Sequence, residues 1–537
     1  MKLERLVACS QEVGATRSRK KKIAALAGLI EGTPDELLPR VVAWLSGELP
    51  EGKIGVGYAA IYGTLKETEG ASSSSLSMAD VQGAITAIAG SSGKGSVKRK
   101  RALLAEIFTA ATEPERAFLA GLLSGELRQG ALAGVMADAL AAATGIAPAV
   151  VRRAAMLAGD LARVARVARA EGEAGLAAFR GEVFRPLQPM LAQTAETPEE
   201  ALATLGGVGV FDYKLDGARV QVHKDGDRVQ VFTRGMNNVT GAVPEVVQLA
   251  RSLPAERVIL DGEVLALRPD GRPHTFQTTM TRFGRKVQSR VAELRNTLPL
   301  TPFVFDVVLR DDEELLDAPL TERAAALDAL IPEPHRVPRL LTSDVNEAAA
   351  FVERSLAEGH EGVMAKALES TWEAGSRGSS WLKLKPSWTL DLVVLAAEWG
   401  SGRRSGWLSN LHLGARDPDG GFVMLGKTFK GLTDATLAWQ TEQLLAREER
   451  RDKHVVHVRA ELVVEIAFNE IQTSPRYPSG LALRFARVKG YRVDKTAVEA
   501  DTIDIVRRIH AGELTLLDAL AKSQGRTRLA GGAPTTP

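Results

Sequence analysis

The chain has 537 residues, 45% hydrophobic and 25% charged, with a formal net charge of +2 at pH 7. This length and apolar content suit roughly three globular domains, while near-neutrality supplies no global basic field, so any nucleic-acid contact must come from local clusters. The single cysteine, Cys9, excludes an internal disulfide and a cysteine-built zinc module.

Residues 1–182 are rich in Ala, Leu, Arg and Glu, with apolar residues recurring every three or four positions, as in KKIAALAGLI, RALLAEIFTAA and VRRAAMLAGDLARVARVARA. The spacing predicts amphipathic helices and an all-α domain, interrupted by loops at ASSSSLS and AGSSGKGSVKRKR. Lys98, Arg99 and Lys100 in that second loop, with Arg128 in GELRQG, are candidate phosphate contacts or else a solvated helix face. From residue 183 the pattern changes to short β-rich runs (RVQVFTR, RVILDGEVLAL, TPFVFDVVL) separated by Gly, Pro and Asp, with helical TERAAALDALI and NEAAAFVERSLAEG between them. An α+β domain is expected over 183–388. Residues 389–512 read as a small β-rich domain, a five-stranded barrel in expectation, and 513–537 as a disordered tail. His454 and His457 read as solvent-exposed. The basic, polar start does not read as a secretory leader and there is no membrane-length apolar run, so a soluble cytoplasmic protein is expected.

The chemistry-bearing residues begin with Lys214-Leu215-Asp216-Gly217 at the end of a predicted strand. K-x-D-G alone is a cheap match. It is followed, in order, by Arg234 in TRGMNNVT, Glu263 in DGEV, Phe303 and Phe305 in FVFDVV, Glu361 in EGVMAK, and Arg377, Lys383 and Lys385 in SRGSSWLKLKP. This ordered set resembles the covalent nucleotidyltransferases, which include ATP-dependent DNA ligases, RNA ligases and mRNA capping enzymes.

A lysine must be neutral to attack phosphorus, and at an ordinary pKa only about 0.1% is neutral near pH 7.4. The cations Lys383, Lys385 and Arg219, or a bound metal, are expected to depress Lys214 and to hold the α-phosphate. Two-residue spacing on a strand puts Lys383 and Lys385 on one face. Glu263 and Glu361 suit a hard cation or ribose hydroxyls; the resemblance implies ribose for Glu263 and metal for Glu361. It also implies that Asp216 orients Lys214 or the leaving group, and that Arg219, Arg234 and Arg377 bind ribose and phosphate. Either Phe303 or Phe305 stacks on adenine. Asp212 stands where many relatives carry Glu, so its reach to the adenine amino group is shorter.

The stretch VVEIAFNEIQTSPRYPSGLALRFARVKGYRVDK resembles the sixth motif of DNA ligases on an OB-fold domain. That resemblance implies that Arg484, Arg487, Arg492, Asp494 and Lys495 orient the β- and γ-phosphates; a DNA contact is the alternative. The helical front domain and RPLQPMLAQ resemble the larger three-domain DNA ligases of archaea, the eukaryotic nucleus and some bacteria, and speak against a capping enzyme or RNA ligase. The intact motif residues speak against a silent DNA-binding scaffold. The implied activity is sealing of nicked double-stranded DNA by a nucleoid-associated monomer, with ATP as donor and Mg²⁺, or Mn²⁺ in its place, as metal.

Overall fold

A computed structural model describes residues 1–52, 54–127, 129–130, 133–283, 288–372 and 378–516. Arg128, Arg377 and residues 517–537 of the expected tail lie outside the described residues.

Ten helices, from Leu3–Ala15 to Leu161–Ala177, build the front of the molecule. Their ends follow local chemistry. Ser77 and Asp80 cap Met78–Gly90 reciprocally, as Thr112 and Glu115 cap Glu113–Ser124, so orphan amides are satisfied at both starts. The stretch VRRAAMLAGDLARVARVARA is two helices. Pro148–Ala158 ends at Gly159, which has a φ of 59°, and Asp160 then accepts from the amides of Ala162 and Arg163 to start the next. Leu6, Trp44, Phe108, Leu119 and Leu140 are among the side chains that close this core.

The middle of the chain forms two sheets. The first orders its strands β1 (Gln193–Thr194), β10 (Trp381–Leu384), β9 (Val363–Lys366), β2 (Gly209–Tyr213) and β8 (Arg339–Thr342). The second runs β4 (Arg228–Thr233), β3 (Ala218–Asp225), β5 (Arg257–Ala266), β6 (Leu300–Arg310) and β7 (Glu313–Glu314). Helix Leu320–Leu330 packs on β6 and is pinned there by Arg323 and Asp306, both side chains 0% exposed, with Nε–Oδ1 at 2.8 Å.

The last third is rich in strands, but it is not the closed barrel expected. β11 (Trp388–Trp399), β12 (Leu408–Arg416), β13 (Phe422–Thr428), β14 (Glu448–Asp452), β15 (Val455–Val458), β16 (Val463–Phe468) and β19 (Arg487–Tyr491) form an open seven-stranded sheet. β17 (Glu470–Thr473) and β18 (Leu481–Arg484) form a separate hairpin. The physical reason lies in β11. Its first half pairs with β16 and its second half with β15, while register shifts interrupt its ladder with β12. One edge thus carries two partners and the ladder branches. His454 is exposed and His457 half-buried on β15. Among the described residues no helix is long and apolar enough to cross a membrane.

Candidate active site

All five residues of β2 are buried between β8 and β9. The chain leaves this strand at Lys214, where the backbone takes over positioning. The Lys214 amide donates to Gly362 O at 2.8 Å, and its carbonyl accepts from the Glu361 amide at 3.0 Å. The lysine and the glutamate, 147 positions apart, are therefore fastened side by side, and Lys214 Nζ lies 2.5 Å from Glu361 Oε2. Lys385, just beyond β10, pairs with the other oxygen, Oε1. Glu361 thus bridges two amines.

These groups stand in a cleft of 1110 Å³ whose wall draws on both sheets. Lys383 and Lys385 enter it together, as their spacing predicted, and Glu263 enters from β5. Asp216 meets Arg484 of β18, at 3.1 Å from Nη1, so the strand-rich unit closes one side. Phe305 lines the cleft, flanked by Trp381 with ring centroids 6.2 Å apart, with Lys366 Nζ 5.1 Å above its ring. Phe303 does not line it.

The electrostatics reverse one expectation. Burial pulls the Lys214 amine down, but the carboxylates of Glu361, Glu263 and Asp216 more than offset this, so its pKa lies above the ordinary lysine value. The expected depression by neighbouring cations is outweighed by these carboxylates, and Lys385 is itself engaged by Glu361. Burial lowers Lys385, with Lys214 contributing, against the opposing pull of Glu361. Burial pushes Glu263 up to about 8, against the attraction of Lys214 and Arg219. Asp216 rises to about 6 through burial and Glu361, with Arg484 and Lys385 opposing. Glu361 is held below the usual carboxylate range: burial raises it, and Lys214 and Lys385 outweigh burial.

Comparison with known proteins bears on this site directly. The family model described as the ATP dependent DNA ligase domain matches residues 189–385, with the C terminal region of the same family at 404–495 and the DNA ligase N terminus at 60–141. A curated protein of Anaeromyxobacter sp. (strain Fw109-5), named "Probable DNA ligase", is 54% identical over 516 residues, 96% of this chain and 99% of that protein. The chain belongs to the ATP-dependent DNA ligase family. A second relative of the same name, from Rhodococcus jostii (strain RHA1), is 53% identical over 514 residues, covering 95% of this chain and all of that protein (100%). Among solved structures, "Pmar-Lig_Pre." is similar in fold, with a TM-score of 0.60 and 18% identity, covering 91% of this chain and 99% of that one.

In this ligase, several residues expected at the nucleotide are engaged by other side chains, Asp212 and Arg219 while lining the cleft. Asp212 is ion-paired to Lys366 at 2.5 Å and to Arg339 at 3.1 Å, with its side chain 2% exposed. Arg219 lines the cleft, yet both its Nε and Nη2 go to Asp261, at 3.1 and 2.5 Å. Arg234 sits exposed at the rim, one residue after β4. The C-terminal basic set divides. Arg484 and Arg487 line the cleft, whereas Arg492 and Lys495 are drawn to Asp391, and Asp494 is paired to Arg492. Those three stand away from the cleft because a buried carboxylate on β11 collects the cations. In the helical domain, Arg99 is bonded to Ser92 O at 2.6 Å and Lys100 to Ile54 O at 2.6 Å; Lys98 is exposed.

The sequence reading missed Asp261, Trp381, Lys366 and Met190. Lys366 ends the EGVMAK motif and Trp381 opens WLKLKP, so both lay within quoted segments. Asp261 opens the DGEV motif and lies in register with Gln221 on β3, a pairing no local spacing reveals.

Proposed function

We propose that Lys214 is the nucleophile of a three-step nick-sealing reaction, and that the cleft around it is the ATP site. The observation that carries this reading is the backbone lock that sets Lys214 against Glu361 in the cleft holding Glu263, Lys383 and Lys385. In the first step a bond forms between Lys214 Nζ and the α-phosphorus of ATP, the α-phosphorus–oxygen bond to pyrophosphate breaks, and the amine proton passes to solvent. Lys383 and Lys385 hold the α-phosphate oxygens. In the second, a 5′-phosphate oxygen of the nick takes the adenylyl group and the nitrogen–phosphorus bond breaks. In the third, the neighbouring 3′-hydroxyl attacks that 5′-phosphate and AMP leaves.

Phe305, the cleft aromatic, stacks on adenine in this reading, and Asp216 orients Lys214. Arg234 meets ribose or phosphate at the rim. Among the described residues no three His, Cys, Asp or Glu side chains form a ready-made metal cage. The donor set nevertheless fits Mg²⁺ in the way nucleotide enzymes hold it, through one or two carboxylates completed by phosphate oxygens. Glu361 and Glu263 would hold it, and the pKa of about 8 at Glu263 marks a carboxyl whose burial lacks sufficient cationic compensation. When bound, the cation would neutralise developing phosphate charge and relieve the carboxylate field that raises Lys214. We read residues 1–182, 183–388 and 389–512 as the helical DNA-binding, adenylation and OB-type domains of a monomer, the last performing its role on an open sheet.

The test is to incubate the full chain with α-labelled ATP or GTP and Mg²⁺, then chase with nicked DNA or nicked RNA. An acid-labile label from ATP, absent in Lys214→Ala and passed only to DNA, is expected. Label from GTP alone, or transfer to RNA, overturns the reading; so does label retained in Lys214→Ala.

A further inference from the structure

Residues 183–192 join the helical domain to the adenylation core and contain no motif side chain, yet they are fastened along one face of β3. Arg219, Gln221 and His223 alternate on that strand and so share a face. Each grips a different point of the linker. The His223 Nδ1 accepts from the Phe184 amide at 3.0 Å. The Gln221 Oε1 accepts from the Leu187 amide at 2.7 Å while its Nε2 donates to Leu187 O at 3.2 Å. Arg219 Nη1 donates to Met190 O at 2.9 Å.

The ladder is internally connected. With Nδ1 accepting, the His223 proton sits on Nε2 and is donated to Gln221 Oε1 at 3.0 Å. Gln221 is 6% and His223 0% exposed, and burial holds the imidazole neutral by pulling its pKa down to about 3. Burying an amide and an imidazole is unfavourable unless their hydrogen bonds are made. Here every one of those bonds goes to the linker or to the neighbouring rung. Phe184, with a φ of 70°, turns the linker onto the strand, and Arg228 lies over its ring at 4.1 Å.

The same segment then crosses to the other wall. Met190, Leu191 and Ala192 line the cleft. Thr194 of β1 pairs with Lys383 of β10, and the Ala195 amide donates to Lys383 O at 3.2 Å. One end of the crossing is thus held by Arg219, whose guanidinium carbon stands 5.4 Å from the centre of the Phe305 ring. The other end is held by the strand that carries Lys383. A stretch tied to both sheets bridges them at the cleft.

We propose that the linker is a strap across the nucleotide cleft, and that Gln221 and His223 are positioning residues that set the adenine end of that cleft for ATP capture. The inference rests on the reading of the cleft as the ATP site. Its consequence is selective. Releasing the strap weakens ATP binding, but sealing of a nick that already carries a 5′-adenylate needs no ATP and is spared.

Four variants of the full chain test this: Gln221→Met, His223→Leu, His223→Gln and Arg228→Ala. Two rates are measured on each, label formation on Lys214 against ATP concentration, and ATP-free sealing of a pre-adenylated nick. Gln221→Met and His223→Leu are expected to raise the KM for ATP about tenfold, with sealing of the pre-adenylated nick within about twofold of the parent. His223→Gln, which offers the Phe184 amide an acceptor again, should recover most of the loss. Arg228 is exposed, so its replacement leaves folding intact and should raise KM about threefold. The proposal is overturned by an unchanged KM in Arg228→Ala, by His223→Gln behaving as His223→Leu, or by both rates falling in proportion. Absence of label in the parent chain would instead overturn the ATP-site reading, which separates the two failures.

Discussion

At the scale of single residues, the cleft is acidic around Lys214, the proposed nucleophile. Three carboxylates raise Lys214, so at neutral pH the resting lysine is an ammonium ion clamped by Glu361. In the proposed reaction, positive charge arriving with the nucleotide would offset that carboxylate field. Glu263 gives this a measurable consequence for stability. Its carboxyl, at about 8 in the folded chain against an ordinary 4.5, keeps its proton between those values while the unfolded chain loses it. The folded state then binds more protons, so stability falls as pH rises from about 4.5 to 8 and is unaffected by this group below that window. Glu263→Gln removes the effect. The variant should melt roughly 10 °C above the parent at pH 8, match it at pH 4.5, and show no such advantage when Mg²⁺ and ATP are present. Equal melting temperatures at pH 8 without nucleotide would show that Glu263 is not held protonated. Each unit of displaced pKa is worth about 1.4 kcal/mol, and about 1 kcal/mol moves the midpoint of a domain this size by roughly 2–4 °C.

At the scale of elements, two motif glycines explain how strands bring the groups together. A Cβ on Gly217 would stand 2.4 Å from Val264 O, and one on Gly362, where φ is 130°, would stand 2.2 Å from Leu384 O. Both obstacles are backbone carbonyls of other strands, which cannot rotate aside. Gly217→Ala and Gly362→Ala should each cost about 1–3 kcal/mol of stability and depress Lys214 labelling at least about a hundredfold. Gly241→Ala, where an added Cβ meets nothing within 4 Å, is the control and should be neutral. Parent-like labelling in Gly362→Ala would mean that the close passage of that turn against β10 does not position Glu361. These glycines were visible in the sequence as parts of K-x-D-G and E-G-V-M-x-K, but their reason was not. Local motifs carried Lys214, Glu263, Glu361, Lys383 and Lys385 because each lies in a short contiguous motif on or beside a strand: Glu263 within β5, Lys383 on β10 with Lys385 just beyond it, Lys214 after β2 and Glu361 before β9. The counter-ions were illegible: Asp212 meets Lys366 and Arg339, Arg219 meets Asp261, and Arg492 meets Asp391, all pairings set by tertiary packing. Helix and strand content followed from periodicity. The split at Gly159-Asp160 was readable as a C-cap followed by an N-cap, whereas sheet closure depends on register, which alternation does not encode.

At the scale of the whole molecule, Arg484 ties the strand-rich unit to the cleft. It projects from β18 and contacts Asp216 at 3.1 Å and Glu470 at 3.1 Å, with its guanidinium carbon 3.9 Å from the centre of the Phe276 ring. The strand-rich unit is therefore latched beside Lys214 through Asp216. Two unit charges about 4 Å apart attract by about 4 kcal/mol at a protein-surface dielectric, but desolvation of a half-buried pair returns much of that, so the latch can be opened at modest cost. That balance suits an enzyme whose nucleophile must face ATP in one step and a DNA end in the next. While closed, the guanidinium supplies positive charge beside Asp216, where a leaving pyrophosphate would gather negative charge. Arg484→Ala should consequently slow Lys214 labelling by about a hundredfold, the scale of removing one charged donor from a transition state. Sealing of a pre-adenylated nick should stay within about threefold, because that step releases no pyrophosphate for Arg484 to meet. Rapid-quench measurement of both rates decides the matter. Equal losses in the two would make Arg484 a structural strut, and an unaffected labelling rate would leave the latch without a role in adenylation. Arg484 then differs from the strap residues in a readable way: the strap changes the ATP concentration needed, while the latch changes the rate once ATP is bound.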